Sequence, residues 1–426
     1  MAVIERLARK LVRQGKLTVL MPGRDPMTFG PGGGKELTVV LADRAVALDI
    51  ARNPRLGLGE AYMDGRLTVE DGTILDLLEL ITGANRWEDK AAARKMLGKG
   101  RLSGLKSLFR RNTLLRSKRN VAHHYDLGDE LYDIFLDDYR QYTAGYFLDP
   151  ANSLEQAQLD KMAHIAAKLH LAPGQRVLDI GSGWGGFAIY LHQTTGVDVL
   201  GITLSEEQLK VARQRAKDAG VDDHVKFQLV DYRKVEGTFD RIVAVGMLEH
   251  VGAAHYGEFF ARCSELLKPD GVLLVHTIGR LGGPSRRPDP FTDKYIFPGY
   301  HIPSLSQLTP ASEKARLIVS DVEILRLHYV YTLQEWLRRF VDARSRVVEL
   351  YDERFFRMWE FYLAAGIVMF ETGSGCNYQL QYIRDRRTLP ITRDYITQTE
   401  QRYRRPPATT KATTKAKMGR ARAKAQ

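Results

Sequence analysis

The sequence predicts an α/β fold, a parallel sheet with helices on both faces, preceded by a small α+β module. Two observations carry this. Between Gln175 and Thr277 short apolar runs alternate with helical periods, the order in which crossover helices cover both faces of a parallel sheet. A glycine-rich turn, Gly181-Ser182-Gly183-Trp184-Gly185-Gly186, stands directly between the first of those strands and the first helix, at the carboxyl edge where such sheets bind ligands. A chain of 426 residues has room for two or three domains.

Taken in order, residues 1–89 open with a helical repeat at Val3, Ile4, Leu7, Leu11 and Val12, then Gly/Pro punctuation from Pro22 to Gly34. Leu37–Leu41 and Ala45–Ile50 are expected as strands and Ile74–Ile81 as a helix, a module without a catalytic cluster. A basic linker, residues 90–120, follows. The alternating region then gives strands at Arg176–Ile180, Asp198–Thr203, Val225–Val230, Arg241–Gly246 and Val272–Thr277, with helices near Trp184–Thr195, Ser205–Ala219 and Tyr256–Lys268. Gly279–Pro310 is rich in Gly and Pro and expected as loop, and Leu333–Phe370 as aromatic-rich helix.

Composition excludes several classes. With 44% hydrophobic and 27% charged residues the chain is neither collagen-like nor wholly disordered. Two cysteines make neither a disulfide framework nor a four-cysteine metal site, and no metal is expected. No apolar stretch is long enough to span a bilayer, and the charged start MAVIERLARK does not suit a secretory leader. Residence in the cytoplasm is the expectation.

The net charge of +12 is unevenly placed: Lys90–Asn120 holds 11 Lys/Arg and Arg404–Gln426 holds 8, both without acids. The remainder is mildly acidic, so the basic character concerns partners and not fold. In the first segment Leu102, Leu105, Leu108, Phe109, Leu114 and Leu115 form an apolar stripe beside Lys106, Arg110, Arg111, Arg116 and Lys118. A helix on a membrane surface and a helix packed on its own protein both carry that pattern. The second segment, residues 404–426, reads as a disordered tail that anionic lipid or nucleic acid would attract.

The glycine loop alone fits both a dinucleotide site and the looser turn of methyltransferases. A dinucleotide site wants an acid at the end of the second strand to hold the ribose, and that place reads Gly201-Ile202-Thr203-Leu204-Ser205. Asp231 instead ends the third strand, where a carboxylate can accept from an adenine amino group. An adenosyl cofactor is therefore favoured over NAD.

Six motifs then occur in order: His123-His124-Tyr125-Asp126-Leu127, the Asp179–Gly186 loop, Thr203-Leu204-Ser205 with Gln208, Gly246-Met247-Leu248-Glu249-His250-Val251-Gly252, His276-Thr277-Ile278-Gly279, and Lys294-Tyr295-Ile296-Phe297-Pro298-Gly299. With them the chain resembles the cyclopropane fatty acid synthase family from about Asn120 to about Arg384. Gly57-Leu58-Gly59-Glu60-Ala61-Tyr62 is similar, less sharply, to that family's amino-terminal module, for which lipid binding or dimerisation is the expectation. The resemblance implies a Rossmann-like class I methyltransferase domain over residues 121–403 that takes S-adenosylmethionine. It implies methylene transfer to the cis double bond of an unsaturated membrane phospholipid, with bicarbonate as base, at the inner membrane face.

By the same resemblance Glu249, His276 and Tyr329 contact the bicarbonate through side chains, and Ala144 and Ile278 through backbone. Tyr142, Thr143, Asp179, Gly181, Gly183, Thr203, Gln208 and Asp231 bind the cofactor. An anionic membrane surface is the expected partner, a homodimer is allowed, and nucleic acid is disfavoured. Tyr142, Tyr146, Phe147, Tyr295, Phe297 and Trp359 are candidates to line an acyl channel, where π faces stabilise positive charge and exclude water.

The chain departs from the family at two places. Tyr142-Thr143-Ala144-Gly145-Tyr146 has Ala144, and the later helix has Gly366, where family members commonly carry cysteines. Covalent cysteine chemistry is thus not available at either position. Cys263 falls on an apolar stripe and Cys376 in a Gly/Ser/Asn turn. Two other readings stand beside ring formation: an S-adenosylmethionine-dependent enzyme making a branched lipid or methylating a small amine, and a nonenzymatic lipid-binding protein.

Overall fold

The computed structural model describes residues 2–83, 86–89, 128–285 and 288–404. The basic linker, the motif at His123–Leu127 and all of the tail after Arg404 lie outside them.

The amino-terminal module comprises α1 (Ala2–Leu11), β1 (Gly15–Leu20), β2 (Met27–Gly32), β3 (Glu36–Leu41), α2 (Arg44–Arg52), α3 (Pro54–Met63), β4 (Leu67–Val69) and α4 (Ile74–Thr82). Its four strands run β2-β1-β3-β4, with β1 and β3 parallel. The expected strand at Ala45–Ile50 is instead helix α2: the Asp43 side chain caps it by accepting from Val46 N at 3.0 Å. A short apolar run does not distinguish a strand from one turn-rich face of a helix, and here the cap decides.

The larger part comprises α5 (Asp129–Phe135), α6 (Leu154–Lys168), β5 (Arg176–Ile180), α7 (Gly186–Thr195), β6 (Asp198–Thr203), α8 (Glu206–Asp218), β7 (Val225–Leu229), β8 (Phe239–Val245), α9 (Tyr256–Leu266), β9 (Leu267–Arg280), α10 (Pro290–Tyr295), α11 (Leu305–Lys314), β10 (Ile318–Ile324), α12 (His328–Asp342), α13 (Arg344–Leu350), α14 (Glu353–Glu371), β11 (Gly375–Ile383) and α15 (Asp394–Tyr403). The seven strands lie in the order β10-β11-β9-β8-β5-β6-β7. Strands β5 to β9 are parallel, and β11 enters antiparallel between β9 and β10. Strand order therefore reverses at β5, between β6 and β8, and that switch point opens a crevice at the carboxyl edge.

Alternation along each strand builds a core on each face. Leu178, Ile180, Ile242, Ala244, Leu273 and Val275 pack with Phe259, Phe260 and Leu308 of α9 and α11. Val177, Val199, Val243 and Leu274 pack on the other face with Met162, Ile165, Ala188 and Leu209 of α6, α7 and α8. The loop expected over Gly279–Pro310 contains the short helix α10 and the start of α11. Cys376 lies not in a turn but in β11, 2% exposed, and Cys263 is buried in α9 as expected.

The amino-terminal module shares its core with the larger part through Phe291 of α10 and Phe361, Ala364 and Val368 of α14. Gly59 is where they meet: a Cβ there would stand 2.4 Å from the Phe291 ring, so only glycine permits this approach. Its neighbour Glu60 accepts from Lys294 Nζ at 2.6 Å and from the Tyr295 hydroxyl at 2.7 Å, and the Tyr62 hydroxyl donates to Glu360 at 2.6 Å. The Gly57–Tyr62 motif is thus a docking surface for α10 and α14.

Candidate active site

The loop after β5 places Gly181 at φ +83° and Gly183 at φ +54°. The N–H groups of Gly181 and Ser182 both donate to Ile202 O at 2.9 Å, which ties the turn to β6. A Cβ on Gly183 would meet no protein atom within 4 Å, so the backbone here borders open space that a ligand can reach. All the residues expected to bind the cofactor, Tyr142, Thr143, Asp179, Gly181, Gly183, Thr203, Gln208 and Asp231, line one cavity at this point.

Each of them is held by local chemistry. Ser205 caps α8 by accepting from Gln208 N, and the Thr203 hydroxyl donates to Gln208 Oε1 at 2.9 Å. Arg233 grips both oxygens of Asp231, at 2.8 and 2.7 Å; burial opposes its charge, but these contacts leave its pKa below the ordinary carboxylate value. Asp231 is therefore an anion on the cavity wall, with part of its accepting capacity already used. Thr143 accepts at Oγ1 from Lys161 at 2.9 Å, and its carbonyl accepts from Gln158 at 2.9 Å.

Lys161 escaped the sequence reading. It is fully buried in α6 and also donates to Gln141 Oε1 at 2.7 Å. Burial lowers its pKa to about 7, opposed first by the charge of Asp137 and then by that of Asp179, and burial raises the pKa of Asp179 to about 7, opposed by Lys161. Lys161, His164 and Lys168 stand at i, i+3 and i+7, a polar stripe that a solvated helix face shares, and they are buried because every residue from Ala157 to Lys168 is covered.

Beyond the cofactor residues the chain brings Glu249 and Ile278 together: Ile278 N donates to Glu249 Oε1 at 2.6 Å. Glu249 sits in a turn after β8, and burial raises its pKa to about 7 against backbone N–H groups, that of Ile278 among them, and the Thr277 side chain, all of which favour the charged form. Its other oxygen, Oε2, is buried with no hydrogen-bond partner among the described residues. His276 lies inside β9, within the expected strand Val272–Thr277, and β9 continues to Arg280 to pair with β11. Within the parallel pairing it stands opposite Val245, a residue of the cavity wall. Burial lowers its pKa to about 3, and its Nε2 has no partner among the described residues.

Ala144 and Tyr329 share one aromatic-rich cluster with Ile278, Tyr142, Tyr295, Phe297 and Trp359. Tyr329 packs edge-on against Trp336 and Phe370, with centroids 5.8 and 4.7 Å away. Ala144 is fully buried beside Gly145, whose N–H donates to Thr332 at 2.9 Å. Gly366 lies on α14 where a Cβ would approach Leu333 of α12 to 3.2 Å, so a larger residue must shift that leucine. Of the aromatic candidates, Trp359 is fully buried, and Tyr146 is stacked between His164 and His328 at 4.4 and 4.8 Å, outside that cluster.

One group of metal-ligand type occurs among the described residues: His192, Asp198 and His224, with ligand atoms within 4.8 Å of one another. Nδ1 of His192 lies 2.8 Å from Val197 O and Nδ1 of His224 lies 2.8 Å from Asp198. Asp198 begins β6 and His224 immediately precedes β7, so this group is at the amino edge of the sheet, opposite the cavity.

No helix among the described residues is long and apolar enough to cross a membrane. Residues 112–380 match the family model "Mycolic acid cyclopropane synthetase". The chain is 39% identical over 310 residues to a cyclopropane-fatty-acyl-phospholipid synthase of Escherichia coli, covering 73% of this chain and 78% of that one. It is 33% identical over 358 residues to a tuberculostearic acid methyltransferase of Mycobacterium tuberculosis, covering 80% and 82%. The crystal structure of a mycolic acid cyclopropane synthase complexed with SAH superposes with TM-score 0.59 at 30% identity, covering 62% of this chain and 97% of that one. With the glycine loop, the strand order and these similarities in agreement, the chain belongs to the mycolic acid cyclopropane synthetase family and is an S-adenosylmethionine-dependent methyltransferase of class I fold.

Proposed function

We propose that the protein is a cyclopropane-fatty-acyl-phospholipid synthase, adding a methylene carbon across the cis double bond of unsaturated acyl chains in membrane phospholipid. One observation carries the reading: Glu249 Oε2 and His276 Nε2 are buried polar atoms without partners among the described residues, in segments that adjoin the cofactor cavity. Buried polar atoms are satisfied by something, and a small oxyanion such as bicarbonate suits this pair.

When bound, S-adenosylmethionine supplies an electrophilic methyl group and bicarbonate a proton acceptor. A carboxylate beside an anion needs a shared proton, and a Glu249 pKa raised to about 7 by burial supplies one near neutrality. Neutral His276 adds no charge and can offer an N–H. The Ile278 N–H fixes the Glu249 carboxyl, and the cluster around Tyr142, Tyr329 and Phe297 excludes water from developing positive charge. Residues 121–403 form the catalytic unit in this reading. The basic linker and tail bring it to an anionic, cytoplasmic membrane surface, where each Lys or Arg contributes about 1 kcal/mol.

The test incubates the protein with monounsaturated phospholipid vesicles and S-adenosylmethionine, followed by lipid mass spectrometry and gas chromatography. Gain of one CH₂ with loss of the alkene is expected. Gain with an alkene retained assigns a branched product, as the similarity to a tuberculostearic acid methyltransferase would suggest. No gain, with cofactor binding demonstrated separately, overturns the lipid reading.

A further inference from the structure

His276 faces a polar side chain that none of the sequence motifs contains. Gln379 lies directly opposite it in the antiparallel pairing of β9 with β11 and is fully buried. Its amide nitrogen is 3.2 Å from His276 Nδ1. With its nitrogen turned toward the ring the amide donates and Nδ1 accepts, and Gln379 Oε1 is then buried with no hydrogen-bond partner among the described residues. A neutral imidazole carries one proton, which this contact leaves to Nε2. The ring is neutral because burial drives its pKa down to about 3, and nearby Lys161, Lys168 and His164 act in the same direction against Glu323.

On its far side Gln379 is opposite Glu323 of β10. That carboxylate is already engaged, bonded at Oε2 by His164 at 2.7 Å and by Lys168. The close polar contact of the Gln379 amide nitrogen is with His276.

We infer that Gln379 is a positioning residue that fixes His276 as its Nε2–H tautomer, so that the ring presents a donor and not a lone pair to the anionic base. The inference rests on the synthase reading for its catalytic meaning, but the tautomer itself does not. With the opposite tautomer, a lone pair would meet the anion, and the interaction would change from attraction to repulsion. Orientation of an imidazole by a hydrogen bond to its other nitrogen is a general device of functional sites.

The test uses the full chain labelled with ¹⁵N-histidine, its long-range ¹H–¹⁵N spectrum assigned by loss of the His276 signal in His276→Gln. Wild type should show a protonated Nε2 and an unprotonated Nδ1. Gln379→Glu, whose carboxylate accepts, should move the proton to Nδ1 or protonate the ring, and Gln379→Met should leave mixed tautomers. Both variants should lower kcat roughly 10–100-fold, with SAH binding and the KM for S-adenosylmethionine unchanged. A protonated Nδ1 in wild type overturns the inference without any variant needing to fold. A shifted tautomer with unchanged kcat overturns its catalytic part, and wild-type tautomer and kcat in Gln379→Met overturn it entirely. Should the vesicle assay yield no lipid product, the wild-type spectrum still decides the tautomer, so the two readings fail separately.

Discussion

Ile278 donates its backbone N–H to one oxygen of Glu249 at 2.6 Å, leaving the other oxygen buried and without a partner among the described residues. A carboxyl fixed on one side and titrating at about 7 can exchange a proton near neutrality, and an amide cannot. Glu249→Gln should therefore keep the fold and cofactor affinity and reduce turnover by about 10²–10⁴-fold. Calorimetry with SAH and the vesicle assay check the two halves, and wild-type turnover by this variant would remove Glu249 from the chemistry.

The same carboxyl sets a pH dependence. Its pKa is raised from 4.5 to about 7 by burial, so the protonated form is complete at low pH and lost as pH rises through about 7. If an anion is held against the protonated form, turnover should decline on that alkaline side. The residual rate of Glu249→Gln, which has no group to titrate there, should lack this limb.

Lys161→Met should destabilise the protein by roughly 1–3 kcal/mol, the cost of leaving buried acceptors without their donor. Gln141 and Thr143 lose their donor, and Asp179 loses its balancing charge. The folded pKa of Asp179, already raised from 3.8 to about 7, should rise further. Because folding then favours the protonated acid over a wider range, stability should fall with increasing pH to higher pH than in wild type. Urea unfolding at pH 5 and pH 8 tests the sign.

Gly183→Ala separates binding from folding. A methyl there meets no protein atom within 4 Å, so its cost to stability is the left-handed backbone, about 1–2 kcal/mol. The methyl would occupy the open space beside the loop, and SAH affinity should fall at least tenfold. Equal affinity for SAH in both proteins would move the cofactor away from this turn.

Removing residues 405–426 takes away seven Lys/Arg. Sedimentation with anionic vesicles at low salt should weaken while the thermal midpoint stays within a degree or so, since a tail of this composition has little to bury. Unchanged vesicle affinity would assign membrane contact to another surface.

Much of this protein is determined locally, and its sequence is enough. Strands β5 to β8 announce themselves by short apolar runs, their helices by period and caps, and the cofactor wall by a glycine turn whose positive φ other residues resist. Gly181, Thr203 and Asp231 end successive strands, so topology alone brings them to one edge. The polar bed beneath the chemistry is different. Asn377, Gln379 and Gln381 alternate with apolar residues along β11 like the solvent face of an edge strand, yet every residue of that strand is buried. They are covered because β11 inserts between β9 and β10, and α6 turns Lys161, His164 and Lys168 inward. A polar residue faces water or a buried partner according to what packs above it, and that partner is distant in sequence. Only the tertiary structure pairs Gln379 with His276, because a side chain's hydrogen-bond partner across a sheet is set by strand order and register, which local periodicity does not encode.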